Sequence, residues 1–195
     1  MIENKALRKA VLIVGIANLA YFLIEFGAAL HIGSVSLFAD SIDFLEDASV
    51  NILIFFALAW SVRLRAKVGM VMAALLMVPA LGALWSAWQQ VVGQQPPMAT
   101  GLSLVGLGAL IVNFSCAAYL TKFKNYSGSL TKAAFLSARN DALANVAIMV
   151  TGFITMAYPS IWPDILVGLA IAAMNANAAR EVFQAAYAEH KEAGA

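Results

Sequence analysis

Ser34-Val35-Ser36-Leu37-Phe38-Ala39-Asp40-Ser41-Ile42-Asp43-Phe44-Leu45-Glu46-Asp47 sets four carboxylates inside an otherwise apolar run. Asp43 and Asp47 are spaced i, i+4. Asp40 precedes Asp43 by three, and Asn51 follows Asp47 by four. At about 100° per residue, a helix gathers Asp40, Asp43 and Asp47 within an arc of roughly 60°, with Ser36 and Asn51 along the same stripe. A charge at the centre of a bilayer costs about 2.5–3.5 kcal/mol on insertion scales. A stripe of carboxylates therefore needs cationic compensation, and a metal ion or protons would supply it.

The flanking sequence makes a bilayer the natural setting. The chain has 195 residues, 62% hydrophobic and 12% charged, with mean hydropathy +0.81. A soluble domain carries about 25% charged residues. The expected fold class is all-α, a single six-transmembrane-helix bundle over 1–195 with no soluble domain. Its spans are predicted at roughly 10–30, 35–60, 68–90, 100–121, 132–157 and 163–187, each long enough for a hydrocarbon core of about 30 Å. The breaks have their own chemistry. His31-Ile32-Gly33-Ser34 reads as a tight turn, Arg63-Leu64-Arg65-Ala66-Lys67 as a basic loop, and Gly93-Gln94-Gln95-Pro96-Pro97 as a non-helical connection. Lys122 to Gly128 reads as a polar loop, and Tyr158-Pro159-Ser160-Ile161-Trp162-Pro163 as a second proline break.

Basic residues orient the bundle. Lys5, Arg8 and Lys9 precede the first span; Arg63, Arg65 and Lys67 lie between the second and third. Lys122, Lys124 and Lys132 lie between the fourth and fifth, and Arg180 and Lys191 near the end. The three opposite loops contain no Lys or Arg, and Arg139 is the exception, lying within the fifth span. The positive-inside rule then places both termini in the cytoplasm of a multi-pass protein of the inner (plasma) membrane. Trp85, Trp88, Tyr158 and Trp162 are expected at the outer interface, and Trp60, Tyr119, Tyr126 and Tyr187 at the inner one. The first apolar stretch is too long and, with Glu25, too polar for a signal peptide, so it is read as a retained helix. With one cysteine, Cys116, neither a disulfide framework nor a thiolate cluster forms within the chain. No basic block points to nucleic acid, and no motif points to an organic cofactor.

The fifth span repeats the polar pattern. Ser137 and Asp141 are again i, i+4, and Asn140 and Asn145 flank the same face. Two helices, each offering such a pair near the midplane, would form a four-ligand oxygen site suited to a divalent cation. The plainer reading is that these groups hydrogen-bond helices together, as polar residues in membranes often do. That reading competes well for Ser137, Asn140 and Asn145 taken singly. It competes poorly for Asp43 with Asp47, because two carboxylates four residues apart repel unless a cation or proton intervenes.

These motifs resemble the cation diffusion facilitator family. Glu25 and Gly27, then Ser34-Val35-Ser36-Leu37-Phe38-Ala39-Asp40-Ser41-Ile42-Asp43 with Asp47, followed by a basic stretch, resemble that family's first two helices. Ser137 and Asp141 match its second acidic or histidine pair, and Trp162-Pro163-Asp164-Ile165-Leu166-Val167-Gly168 loosely matches the start of its sixth helix. The resemblance covers the whole chain. It implies a homodimeric antiporter that exports a divalent metal in exchange for protons, with Asp43, Asp47 and Asp141 as ligands and Ser137 in the fourth position. The metal is the transported substrate, of the Mn, Fe, Zn, Co, Ni or Cd class.

The chain also departs from the family. Ser137 stands where His or Asp is usual, no His-rich segment follows the second span, and no C-terminal cytoplasmic domain is expected. A site built of oxygens shifts preference from Zn²⁺ toward harder ions such as Mn²⁺, Fe²⁺ or Mg²⁺. Without that domain, the homodimer is expected to form through transmembrane helices. The third span (Gly69, Ala73, Ala74, Ala80, Gly82, Ala83) and the sixth (Gly168, Ala172, Ala173, Ala176, Ala179) offer small residues for it.

Several other groups border the stripe. Glu25 is read either as a proton relay or as a protonated helix–helix hydrogen bond. Asp40 is assigned to the exit path or to capping the second span. Glu46 is either accessory to the site or interhelical, and Asn113 lies in its outer surroundings. His31 reads as a solvated turn residue, and Cys116 and the methionines as packing. The competing function is a degenerate, non-transporting membrane partner or structural subunit. An intramembrane hydrolase fits poorly, since no HExxH, GxSxG or nucleophile–base pair is present.

Overall fold

The computed structural model describes residues 2–57, 62–121 and 128–192. They form six helices: α1 (Ile2–Ile32), α2 (Val35–Ala57), α3 (Val62–Gly93), α4 (Ala99–Thr121), α5 (Gly128–Ala157) and α6 (Trp162–Glu192). The six-helix, all-α architecture is the expected one, with most helices longer than the spans read from hydropathy. Arg63, Arg65 and Lys67 belong to the first turns of α3, not to a loop. Nothing in that stretch breaks a helix, and polar side chains at a helix end need not leave it. The segment 122–127, within the predicted polar loop, and Trp60 and Tyr126 lie outside the described residues.

The turn between α1 and α2 shows why the chain reverses so tightly. Gly33 adopts φ +69°, a left-handed conformation that costs glycine little. The Ser34 amide then reaches back to the Ala29 carbonyl at 3.0 Å, the hydrogen bond of a Schellman close. Ser34 also opens α2, where its Oγ accepts from the Leu37 amide at 3.1 Å, a helix N-cap. One residue therefore ends one helix and starts the next.

Helix α1 packs on α2, α4 on α5, and α3 on α6, while α2 touches all five of the others. The helix that carries the stripe of four carboxylates is the central one. In lipid those carboxylates have no hydrogen-bonding solvent, so burying α2 among its neighbours is the cheaper arrangement. Leu37, Ala39, Leu102, Ile148 and Ile171 form the apolar core beside it.

The polarity is inside out relative to a soluble protein. Asn18, Glu25, Asp40, Asn113, Asn145 and Asp164 are buried, while Ile16, Leu23, Leu104, Phe114, Phe153 and Leu166 are exposed. Among the described residues, two stretches are long and apolar enough to cross a membrane by composition alone, Arg8–Ile32 and Ala99–Thr121, with Asp141–Ala157 a shorter apolar helix. Trp85, Trp88, Tyr158 and Trp162 are exposed near one end of the bundle and Tyr187 near the other.

Three of the small residues of α3 and α6 are used within the chain. Ala83 and Ala172 sit in the same buried cluster. A Cβ added at Gly168 would meet the Ser36 nitrogen and Val35 carbonyl carbon at 2.6 Å. That glycine brings α6 against the start of α2, so these three positions do not face outward. Ala173 of α6 is exposed, whereas the surroundings of Gly69 and the side chains of Ala73, Ala74, Ala80 and Ala179 lie outside what the structure describes.

Candidate cation site

The acidic stripe is held at its first turn by a carboxylate from another helix. Asp164, in the first turn of α6, is fully buried. One of its oxygens accepts from Ser34 Oγ at 2.7 Å, Ser36 Oγ at 2.5 Å and the Ser36 amide at 3.2 Å. The other accepts from the Val35 amide at 2.7 Å and Gln90 Nε2 at 2.9 Å. Asp164 thus caps the amides that begin α2, which have no acceptor within their own helix and where the helix dipole favours an anion. Gln90 also donates to the Gly33 carbonyl at 2.8 Å, so α3 joins the same cluster. Further along, Asn175 Nδ2 of α6 donates to the Ala39 carbonyl at 3.0 Å. The turn carrying Asp40 and Asp43 is pinned from outside its own helix.

Beyond that anchor the stripe meets α5. Asp43 lies within electrostatic reach of Asp40, Asp141, Asp47 and Glu46. Asp43, Glu46, Asp47 and Asp141 are all partly exposed. Asn18 Nδ2 of α1 approaches Asp47 Oδ2 at 3.4 Å, and the Cys116 thiol of α4 donates to Asn18 Oδ1 at 3.7 Å. Asn51 Nδ2 donates to the backbone carbonyl of Asp47 at 2.7 Å, while the Asp47 carboxylate meets Asn18 of α1. Among the described residues no three His, Cys, Asp or Glu side chains are gathered tightly enough to hold an ion as they stand. The Asp43–Asp47–Asp141 set is therefore not closed around an ion in this arrangement. Ser137, Asn140 and Arg139 lie on helical backbone of α5, but their side chains fall outside the described residues.

A second acidic group lies closer to the α1–α2 turn. Glu25 of α1 and Asp40 of α2 are both 0% exposed, with their carboxyl groups within hydrogen-bonding reach of each other. Asn145 Nδ2 of α5 donates to Asp40 Oδ2 at 2.6 Å, and Asn113 Nδ2 of α4 donates to Asn145 Oδ1 at 3.1 Å. Asn113 and Asn145 therefore border Asp40 rather than Asp43. Asp40 does not cap α2; Ser34 and Asp164 do. The cap must sit at the first turn, and Asp40 begins the second. His31 is exposed as expected, but in the last turn of α1 rather than in the connection. Cys116 does more than pack, since through Asn18 it approaches Asp47.

Sequence reasoning singled out neither Asn18, Gln90 nor Asn175, and noted Asp164 only as part of a helix start. The signal was present in type: an amide or carboxylate inside an apolar span must find a partner there. Which partner each would find depends on how the helices cross. Chemically, the partly exposed carboxylates offer hard oxygen ligands to a divalent cation, whereas the Glu25–Asp40 pair is closed to solvent.

The family model of the cation efflux transmembrane domain matches residues 11–189, nearly the whole chain. No curated protein sequence matches it.

Proposed function

The chain belongs to the cation efflux family and is a cation transporter of the membrane; we propose that it exports a divalent metal in exchange for protons. Asp43, Asp47 and Asp141 ligate the metal, with Ser137 as a weak fourth ligand. The supporting observation is that Asp43 and Asp141, on different helices, come within electrostatic reach of each other while both remain partly exposed. Mutually repelling carboxylates in an apolar bundle are what a divalent cation relieves. All-oxygen ligation favours Mn²⁺ or Fe²⁺ over Zn²⁺.

Metal must displace protons from these carboxylates, so binding should release protons and weaken as pH falls. Calorimetric titration of the purified chain with Mn²⁺, in buffers of different ionisation enthalpy, would count them. Saturable binding with proton release is expected. Absence of Mn²⁺, Fe²⁺ and Zn²⁺ binding would sink the carrier reading.

The orientation follows from the basic residues at one end of the bundle, with both termini cytoplasmic in the plasma membrane. Topology reporters fused at Gln94 and at the C-terminus should report opposite sides. The same side for both would reject it.

A further inference from the structure

We propose that Glu25 and Asp40 form a dedicated proton site, separate from the metal ligands, in which the Glu25 carboxyl donates its proton to Asp40 Oδ1. The inference rests on the metal–proton exchange above and locates one of the exchanged protons.

The hydrogen-bond inventory carries it. Both oxygens of Glu25 are buried with no donor to serve them, and Asp40 Oδ1 is in the same state. Asp40 Oδ2 is already engaged by Asn145 at 2.6 Å. Two ionised carboxylates are acceptors only and cannot bond to each other. An ionised Glu25 would therefore be a bare charge at 0% exposure, the most costly state available to it. A single proton on Glu25 removes that charge, fills the empty acceptor on Asp40 and leaves one negative charge, which the Asn145 amide stabilises. One proton thus removes the second charge and joins the two side chains, and leaves only the other Glu25 oxygen, now uncharged, without a donor.

The surroundings supply the coupling. From α1, Tyr21 lies near both acids, but its hydroxyl donates to the Val105 carbonyl at 2.6 Å. From α2, Asp43 stands one turn beyond Asp40 and within electrostatic reach of Glu25, with Glu46 and Asp47 farther along. From α5, Asn145 touches Asp40, and Asp141 lies one turn from Asn145. From α4, Asn113 completes the chain of amides, with Cys116 nearer Asp47. From α6, Asn175 bonds the Ala39 carbonyl, and Asp164 is taken up by α2's first turn. A metal ion bound by Asp43, Asp47 and Asp141 would place positive charge within a turn or two of the pair and repel its proton. Proton and metal then exclude one another without sharing a ligand.

The test uses the full chain and near-isosteric amides. In Glu25→Gln the side-chain N–H replaces the O–H toward Asp40; in Asp40→Asn the new amide donates to Glu25. Each variant should still bind Mn²⁺ and release about one proton fewer per metal than the unaltered chain. The double variant should lose no more than either single one, since the pair holds one proton between them. Glu25→Asp should retain the release. Unchanged proton counts in Glu25→Gln would overturn the proposal, as would a double variant that loses twice as much.

Infrared spectra give a readout independent of metal. The metal-free chain should show the carbonyl stretch of a protonated carboxyl that disappears in Glu25→Gln, and in Asp40→Asn if the first variant fails to fold. If the chain bound no metal but showed this band, the transport reading would fail and the proton site would stand. A band untouched by either substitution would reject the site. Thermal stability that rises with Na⁺ in the unaltered chain but not in Glu25→Gln would assign the pair to an alkali cation and reject the proton.

Discussion

Asp47→Ala and Asp141→Ala should each abolish divalent-metal binding and transport. Each removes a full negative charge from a set whose affinity comes almost entirely from charge. Two unit charges about 4 Å apart interact by about 4 kcal/mol at an effective dielectric near 20. Losing one such term corresponds to about a thousandfold in affinity, and a divalent ion at closer range loses more. The fold should tolerate both changes, because Asp43, Asp47 and Asp141 are partly exposed and repel one another when ionised. Ser137→Ala should have a much smaller effect, since a neutral hydroxyl contributes little. Mn²⁺ uptake by liposomes containing each variant, alongside binding calorimetry, measures all three. Asp47→Ala transporting at the normal rate would remove Asp47 from the site.

Asp164→Ala should have the opposite signature, with a large loss of stability and no direct effect on a ligand. Asp164 accepts from two hydroxyls, two backbone amides and the Gln90 amide. Truncation leaves those donors buried and unserved. Breaking a buried charged network of this kind costs about 3–5 kcal/mol, and leaving neutral donors unpaired costs about 1–3 kcal/mol each. For a chain of this length that is a fall of roughly 10 °C in unfolding temperature, readable by thermal unfolding in mild detergent. Asp164→Asn should recover part of it, because its oxygen still serves Ser34 and Ser36 while its amide opposes the Val35 N–H. An Asp164→Ala variant as stable as the unaltered chain would show that the first turn of α2 does not depend on this carboxylate. The same loss in stability should loosen the register of Asp40 and Asp43, which follow that turn along α2.

Much of the architecture was legible in the residues because it rests on local chemistry. The Gly33-Ser34 turn was readable since left-handed backbone calls for glycine and a helix start for serine. The break at Gly93 to Pro97 was readable because proline removes donors and clashes with helix. The i, i+4 spacing of Asp43 and Asp47 put both on one face of a helix whatever surrounded it. The basic stretch at Arg63 to Lys67 misled for the same local reason: polarity marks the membrane boundary, but helices continue past it. Composition along the chain determined six helices, their inverted polarity and the stripe of acid on the second.

The crossing of helices decided the rest. That α2 is central, that Asp141 comes within electrostatic reach of Asp43, and that Asn145 serves Asp40 all depend on approaches between residues about 100 positions apart. No periodicity in one helix encodes the rotation of its neighbour. Asp164 shows the difference most clearly. In the sequence it is an acid near a proline at a helix start, a common local pattern. In the folded chain it serves the amides of a different helix, 128 residues away. Glu25 and Asp40 were visible as acids in apolar spans. Only the packing of α1 on α2 faces them together, seals them, and leaves Glu25 with no donor of its own.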